Sequence, residues 1–206
     1  MSRYGDEQVL VIPRPLLDKL GSFQGLEFEV DRYLPTFLRP ENNFFMPRDT
    51  AEDDPSHKQI IPYAIFHHAG KFLHYVRGKK SGEQRLASKG SIGIGGHINT
   101  TDHSREPLGE ETYLRGVERE VNEELKIADG YEQQIVALLN HDDNEVGRVH
   151  LGVVHLFNLH SDQVEANETE IAELQFLSRE ALLERHDRLE SWSQSCVAGL
   201  ERILAL

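Results

Sequence analysis

The sequence predicts an α/β protein of the α+β kind, in which helices cover a mixed sheet, and three observations carry that prediction. Runs such as QIIPYAIFHH (Gln59–His68), KFLHYV (Lys71–Val76), QIVALL (Gln134–Leu139) and VHLGVVHLFNL (Val149–Leu159) have strand character and fill the middle of the chain. One acidic amphipathic helix, ETYLRGVEREVNEELKI (Glu111–Ile127), is set among them. Helical periodicity then returns near the C-terminus, and sheet-forming and helix-forming segments in one chain pack as layers.

Taken in order, Gln8–Pro13 (QVLVIP) reads as a short strand and Pro15–Leu20 as a short helix stopped by Gly21. Arg39–His57, with three prolines and a run of acids, reads as an irregular connection. It divides an N-terminal extension, residues 1–57, packed on or preceding the domain, from a main domain at 58–206. Gln59–His68 and Lys71–Val76 flank Ala69-Gly70 as a β-hairpin. The segment Arg77–Lys89 (RGKKSGEQRLASK) concentrates positive charge in an otherwise acidic protein. Ser91–Asn99 (SIGIGGHIN) ends a strand in Gly95-Gly96-His97, where paired glycines let backbone approach a ligand closely. HDDNEVGR, before the last long strand, is a loop by turn chemistry. Glu168–Phe176 reads as a further strand. Helices follow at Arg179–His186, capped by Ser178, and at Leu189–Leu204.

Composition bounds the function. A chain of 206 residues, 38% hydrophobic, suits one globular core. A net charge of -13 disfavours nucleic-acid polymers and anionic membranes, both of which recruit basic surface. The start, MSRYGDEQ, has no apolar signal core, and no stretch approaches the about 20 apolar residues of a membrane span. A soluble cytoplasmic protein is expected. The single cysteine, Cys196, reads as a core thiol.

The acidic helix carries the chemistry. Leu114, Val117, Val121 and Leu125 form an apolar stripe at spacings of three and four, while Glu120, Glu123 and Glu124 gather on another face. Like charges at i, i+4 repel by roughly 0.2–0.5 kcal/mol per pair on an exposed helix, and a bound cation would relieve that. Carboxylates beside a glycine turn that can offer a carbonyl make an oxygen-only site, which suits Mg2+ or Mn2+. Carboxylate-held Mg2+ completes its shell with water and substrate phosphate, and Arg77, Lys79, Lys80 and Arg85 could neutralise such a substrate.

Glu111, seven residues, then Arg119-Glu120-Val121-Asn122-Glu123-Glu124-Leu125, with Gly95-Gly96 upstream, resembles the Nudix box of the Nudix hydrolases. Two positions depart from the family pattern. Counting back five residues from Glu111 reaches Arg105 instead of glycine; taking Gly96 as the box glycine gives an intervening loop of fourteen residues, nine more than usual. Lys126 stands where the family has a glycine after Glu-Glu, with the aliphatic Ile127 retained.

The resemblance implies an α/β/α sandwich and a metal-dependent hydrolase. Such an enzyme cleaves a pyrophosphate bond in a nucleoside diphosphate linked to another moiety, by metal-activated water attack on phosphorus. It implies Glu120, Glu123, Glu124 and the Gly95 carbonyl as ligands of Mg2+ or Mn2+, with Glu120 also orienting or deprotonating the water. It implies an ion pair between Glu111 and Arg119 that ties the loop to the helix. His97 could reach a phosphate. Asp142, Asp143 and Glu145 are candidates for a further base, each with a solvated turn as the plainer reading. A catalytically inactive Nudix-fold ligand-binding or regulatory module is the alternative function. A Nudix-fold isomerase is disfavoured, because those use a cysteine near the glycine turn and Cys196 lies far along the chain. The partner expected is a small diphosphate. Homodimerisation through the N-terminal segment is compatible with the sequence.

Overall fold

The structure is a computed structural model that describes residues 2–77, 89–105, 107–167 and 171–206. In chain order its elements are β1 (Gln8–Pro13), α1 (Arg14–Gly21), β2 (Gly25–Glu27), α2 (Val30–Phe37), β3 (Phe44–Pro47), α3 (Arg48–Asp53), β4 (His57–His68) and β5 (Lys71–Arg77). There follow β6 (Gly90–Ser91), β7 (Gly93–Gly95), α4 (Glu110–Glu124), β8 (Leu125–Ile127), β9 (Tyr131–Asn140), α5 (Glu145–Val149) and β10 (His150–Leu159). The chain closes with β11 (Val164–Ala166), β12 (Ile171–Ser178), α6 (Arg179–Leu183) and α7 (Ser191–Ile203). This is the mixed α+β class that the sequence predicts.

The chain divides into two compact units. The first comprises Met1–Pro62, Gly95–Glu120 and Ala137–Val153. Here β1, apolar on both faces and buried from Val9 to Ile12, pairs antiparallel with β3 (Val9↔Met46, Val11↔Phe44) and with β4 (Val11↔Gln59, Pro13↔His57). Pro13 closes β1, and α1 begins at once with a proline in its first turn, where a missing N–H costs nothing. α2 buries Tyr33, Leu34 and Phe37. The Tyr33 hydroxyl donates to the Gly21 carbonyl at 2.8 Å, which fastens α2 to the end of α1. β2 pairs with the end of β9 (Leu26↔Leu139).

Two expectations are corrected in this unit. Arg39–His57 is not irregular: Phe44–Pro47 is a strand and Arg48–Asp53 a helix. The strand exists because β1 offers it an edge, a tertiary cause that local composition hides. Likewise HDDNEVGR holds the one-turn helix α5, whose cap is Asn144 accepting from the Gly147 N–H at 2.8 Å.

The second unit comprises Tyr63–Ile94, Val121–Val136 and Val154–Leu206. The predicted hairpin is present, with His67↔Phe72 and His68↔Lys71 in register. Its two turn residues, Ala69 and Gly70, have φ of 47° and 79°, as a two-residue turn matched to strand twist requires. β12 pairs antiparallel with β5, broken by a bulge between Ala172 and Gln175, and Gly90 bridges Leu189 in parallel. Phe66, Phe72, Phe157, Cys196, Val197 and Leu200 are buried, with the Phe66 and Phe157 rings 5.0 Å apart. Burial pushes the Cys196 thiol well up, as an inert core thiol requires. Glu190 caps α7 by accepting from the Trp192 and Ser193 N–H groups, and its carboxylate also accepts from the Tyr63 hydroxyl at 2.6 Å.

Candidate active site

α4 presents its buried side through Tyr113, Gly116, Val117 and Val121. Leu114, expected in the stripe, is 42% exposed, and Tyr113 takes its place. The helical repeat accepts either phase, and the larger aromatic buries more area. Gly116 is set so close to the Thr100–Asp102 turn that a Cβ there would overlap Ile98 and crowd Asp102. The helix ends at Glu124 and the chain enters β8 directly, so Lys126 lies in a strand, paired in register with Glu165. An extended exit needs no left-handed residue, which is why the family's glycine can be absent here.

The glycine turn reaches the acidic helix as expected. A Cβ on Gly96 would overlap the Glu120 carboxylate, so only glycine lets the two approach. Glu120 sits 15% exposed, its Oε1 accepting from Arg119 Nη1 at 2.9 Å.

Arg119 is itself clamped, but not by Glu111. Its Nε and Nη2 donate to Asp102 Oδ1 and Oδ2 at 2.7 and 3.0 Å, and Nη2 also donates to the His97 carbonyl at 2.9 Å. Glu111 instead accepts from Arg105 (2.8 Å) and Arg115 (2.7 Å) on an exposed face. The expected Glu111–Arg119 ion pair is therefore corrected to Asp102–Arg119. Asp102 lies in a single 3-10 turn, Thr100–Asp102, that Asn99 caps: the Asn99 side chain accepts from the Thr101 N–H, and Asp102 Oδ2 accepts from the Asn99 N–H at 2.9 Å. The Asp102 side chain is 2% exposed, and its bidentate hydrogen bonds hold Arg119 permanently charged. The signal for this residue was present as Asn99-x-x-Asp102, a helix-start signature inside the long loop.

Glu123 and Glu124 follow one turn later on the same helix, Glu123 exposed and Glu124 half-buried, at the i+3 and i+4 positions from Glu120. Of the basic candidates, Lys79, Lys80 and Arg85 lie outside the described residues, and Arg77 ends β5 with its side chain outside them as well. His97 points away from solvent, its Nε2 buried without a hydrogen-bond partner. Burial above all, with Arg48, His150 and Arg119 adding, pushes its imidazole well below the usual range, so His97 is neutral.

Asp142 is not a solvated turn residue. Burial works to raise its carboxyl, but hydrogen bonds from Lys58 (2.8 Å), Arg14 (2.9 Å), Asn140 (3.0 Å) and Gln24 (2.7 Å) outweigh it and hold the group far below the carboxylate range. Lys58 is fully buried and also donates to Asn140 Oδ1 and the Gly147 carbonyl. A carboxylate so saturated is an anchor and a poor base.

The residues present fit a hard divalent ion. Glu120 is cradled against Gly96 where no side chain could stand, and its carboxylate offers the oxygen donors that such an ion takes.

No family model matches the sequence. Protein YmaB of Bacillus subtilis (strain 168) is 36% identical over 204 residues, covering 95% of this chain and 98% of that protein. The crystal structure of Tm1382, a putative Nudix hydrolase, is 30% identical, covers 94% of this chain and 98% of that one, and superposes with a TM-score of 0.77. The chain belongs to the Nudix hydrolase superfamily. Its enzyme class is that of the Nudix-type pyrophosphohydrolases. The Nudix domain of Shewanella oneidensis NrtR, solved with ADP-ribose, shares the fold at 12% identity and a TM-score of 0.54, covering 71% of this chain and 88% of that one. In this chain the Thr100–Asp102 turn supplies Asp102 to hold the Nudix box arginine.

Proposed function

We propose that this Nudix protein hydrolyses the pyrophosphate bond of a nucleoside diphosphate linked to another moiety, using Mg2+ or Mn2+. The observation that carries the reading is the Glu120 carboxylate, seated against Gly96 and fixed by an arginine that Asp102 holds in turn. Glu120, Glu123, Glu124 and the Gly95 carbonyl would hold the ion. When bound, the ion acidifies a water and offsets charge on the phosphoryl oxygens. Glu120 orients that water and takes its proton, which the i+4 pairing with Glu124 supports by raising the local density of negative charge. Water attacks phosphorus, the bridging P–O bond breaks, and the leaving phosphate departs with the bond's electron pair. Arg119 stays charged throughout and positions Glu120. Arg77, Lys79, Lys80 and Arg85 are assigned to the substrate phosphates; His97, expected among them, is not, because its Nε2 is buried and faces Glu52. We place the Nudix domain at residues 58–206, with residues 1–57 as an extension; the pairing of β1 with β4 supports an extension packed on the domain. The protein acts in the cytoplasm, a reading supported by its single buried cysteine. No helix among the described residues is long and apolar enough to cross a membrane.

The test is a screen of nucleotide sugars, dinucleoside polyphosphates, NADH, ADP-ribose and nucleoside triphosphates with Mg2+, detecting the phosphomonoester products by chromatography and any released phosphate or pyrophosphate. Turnover of a diphosphate-linked nucleotide by the wild type, abolished in folded Glu123→Gln and Glu124→Gln proteins, supports the reading. Turnover surviving both substitutions overturns it. Nucleotide binding with no product under Mg2+ or Mn2+ would support the ligand-binding module instead.

A further inference from the structure

A second cluster of potential ligands lies in the first unit and shares no residue with the box carboxylates. Glu52 on α3, His97 after the glycine turn and His150 at the start of β10 converge, each offering one ligand atom, all within 4.8 Å of one another. Glu52 Oε1 lies 3.8 Å from His97 Nε2 and 3.8 Å from His150 Nε2, too long for hydrogen bonds, and the two imidazole rings are 5.6 Å apart at 70°. Three polar groups have thus been brought together without bonding one another.

The tautomer of His150 follows from its neighbour. Nδ1 is 2.7 Å from the Val146 carbonyl, which can only accept, so in the neutral ring Nδ1 carries the proton and the lone pair is on Nε2, which faces Glu52. A backbone carbonyl behind an imidazole is the arrangement that orients metal-ligating histidines. His97 Nε2 is buried with no hydrogen-bond partner, and leaving a polar atom so costs free energy unless something occupies the space it faces. The local charge permits a cation. Arg48 lies 3.5 Å from Glu52 but is also paired with Glu7 at 2.9 Å and stacked on the Tyr4 ring at 4.1 Å. Arg119, which also acts on His97, is itself paired with Asp102 and Glu120, so four acids face two bases around this corner. The side chains of Glu52, His97 and His150 are 15%, 15% and 9% exposed, a shielded setting open enough for an ion to enter.

We propose that Glu52, His97 and His150 form a second metal site, selective for a borderline first-row ion of the Zn2+ class. Two imidazole nitrogens and one carboxylate suit Zn2+ and its neighbours, whereas Mg2+ takes oxygen. A tetrahedral Zn2+ with bonds of about 2.0–2.1 Å sets its donors about 3.3 Å apart, against 3.8 Å from Glu52 to each imidazole and at most 4.8 Å for any pair here. The site draws one ligand from each of three separated segments. A bound ion therefore cross-links the N-terminal segment, through α3, to the glycine turn and to β10. The proposal stands independently of the hydrolase reading.

The test titrates Zn2+ by calorimetry into chelator-stripped full-length protein in excess Mg2+, which occupies oxygen-only sites. One equivalent of Zn2+ is expected to bind and to raise the melting temperature. Affinity should fall about 10–100-fold or more in His150→Gln and in Glu52→Gln, and remain unchanged in Glu123→Gln. Absence of Zn2+ binding, affinity unchanged in both cluster variants, or affinity lost in Glu123→Gln overturns the proposal. Should the cluster variants not fold, X-ray absorption at the zinc edge of the wild type decides: imidazole scattering supports the site, and an oxygen-only shell overturns it.

Discussion

Asp102 and Arg119, seventeen positions apart, meet in a two-pronged ion pair, Nε to Oδ1 at 2.7 Å and Nη2 to Oδ2 at 3.0 Å, with the carboxylate almost wholly buried. The same guanidinium reaches Glu120 and the His97 carbonyl. Asp102 thus sets where Glu120 sits without touching it.

Replacing Asp102 with Asn keeps the shape of the side chain but removes the charge that opposes Arg119. The hydrolysis rate should fall about 10–100-fold, as expected when a group orienting a ligand is lost. Glu111→Gln, on the exposed face with Arg105 and Arg115, should stay within about twofold, because exposed pairs contribute little. Steady-state kinetics on the substrate found in the screen compares the two, and a larger loss in Glu111→Gln would reverse the assignment.

Gly96→Ala should fold and fail. The added Cβ would overlap the Glu120 carboxylate, and a displacement on the order of 1 Å at a reacting group costs about 100-fold in rate. Circular dichroism should be unchanged while turnover and Mg2+ affinity both drop. Wild-type rates in Gly96→Ala would show that the close approach is dispensable.

Asp142 gives a stability prediction with a defined sign. Its folded-state carboxyl is held below the ordinary value of 3.8, so its contribution is complete above that pH and is lost as pH falls toward the folded-state value. Asp142→Asn leaves Lys58 buried with its charge half-compensated and should cost about 3 kcal/mol at pH 7. Urea unfolding at pH 7 and pH 3 should show the difference between the two proteins shrinking in acid. A constant gap would remove the electrostatic account.

His155 behaves oppositely in chemistry and alike in direction. Burial pushes its imidazole down to about 3, and Gln133 Nε2 donates to its Nδ1 at 2.6 Å. Below about pH 6.5 the unfolded chain takes up a proton that the folded chain refuses, so stability falls by about 1.4 kcal/mol per pH unit between about pH 6 and 3. His155→Gln should flatten that share of the slope in urea midpoints measured from pH 7 to 4. Parallel slopes would mean that His155 charges within the fold.

Features set by short-range chemistry were legible in the sequence: the hairpin at Ala69-Gly70, the acidic helix, and the glycine turn that reaches Glu120. What escaped depended on distant partners. β3 is a strand because β1 lies beside it, and Asp142 is an anchor because residues at 14, 24 and 58 converge on it. Leu114 and Tyr113 differ by one position on a helix, a phase that periodicity alone leaves ambiguous. The motif spacing located Glu111 and Arg119 correctly on one helix, but the fourteen-residue loop brought in a nearer, buried carboxylate, and the arginine took that one.

One oxygen, Asp102 Oδ2, accepts both the Asn99 amide proton and an Arg119 proton, at 2.9 and 3.0 Å. Fraying of the small turn therefore loosens one of the bonds that hold the arginine. The exchange rate of the Asn99 amide with deuterium then reports how often that bond opens, readable without substrate.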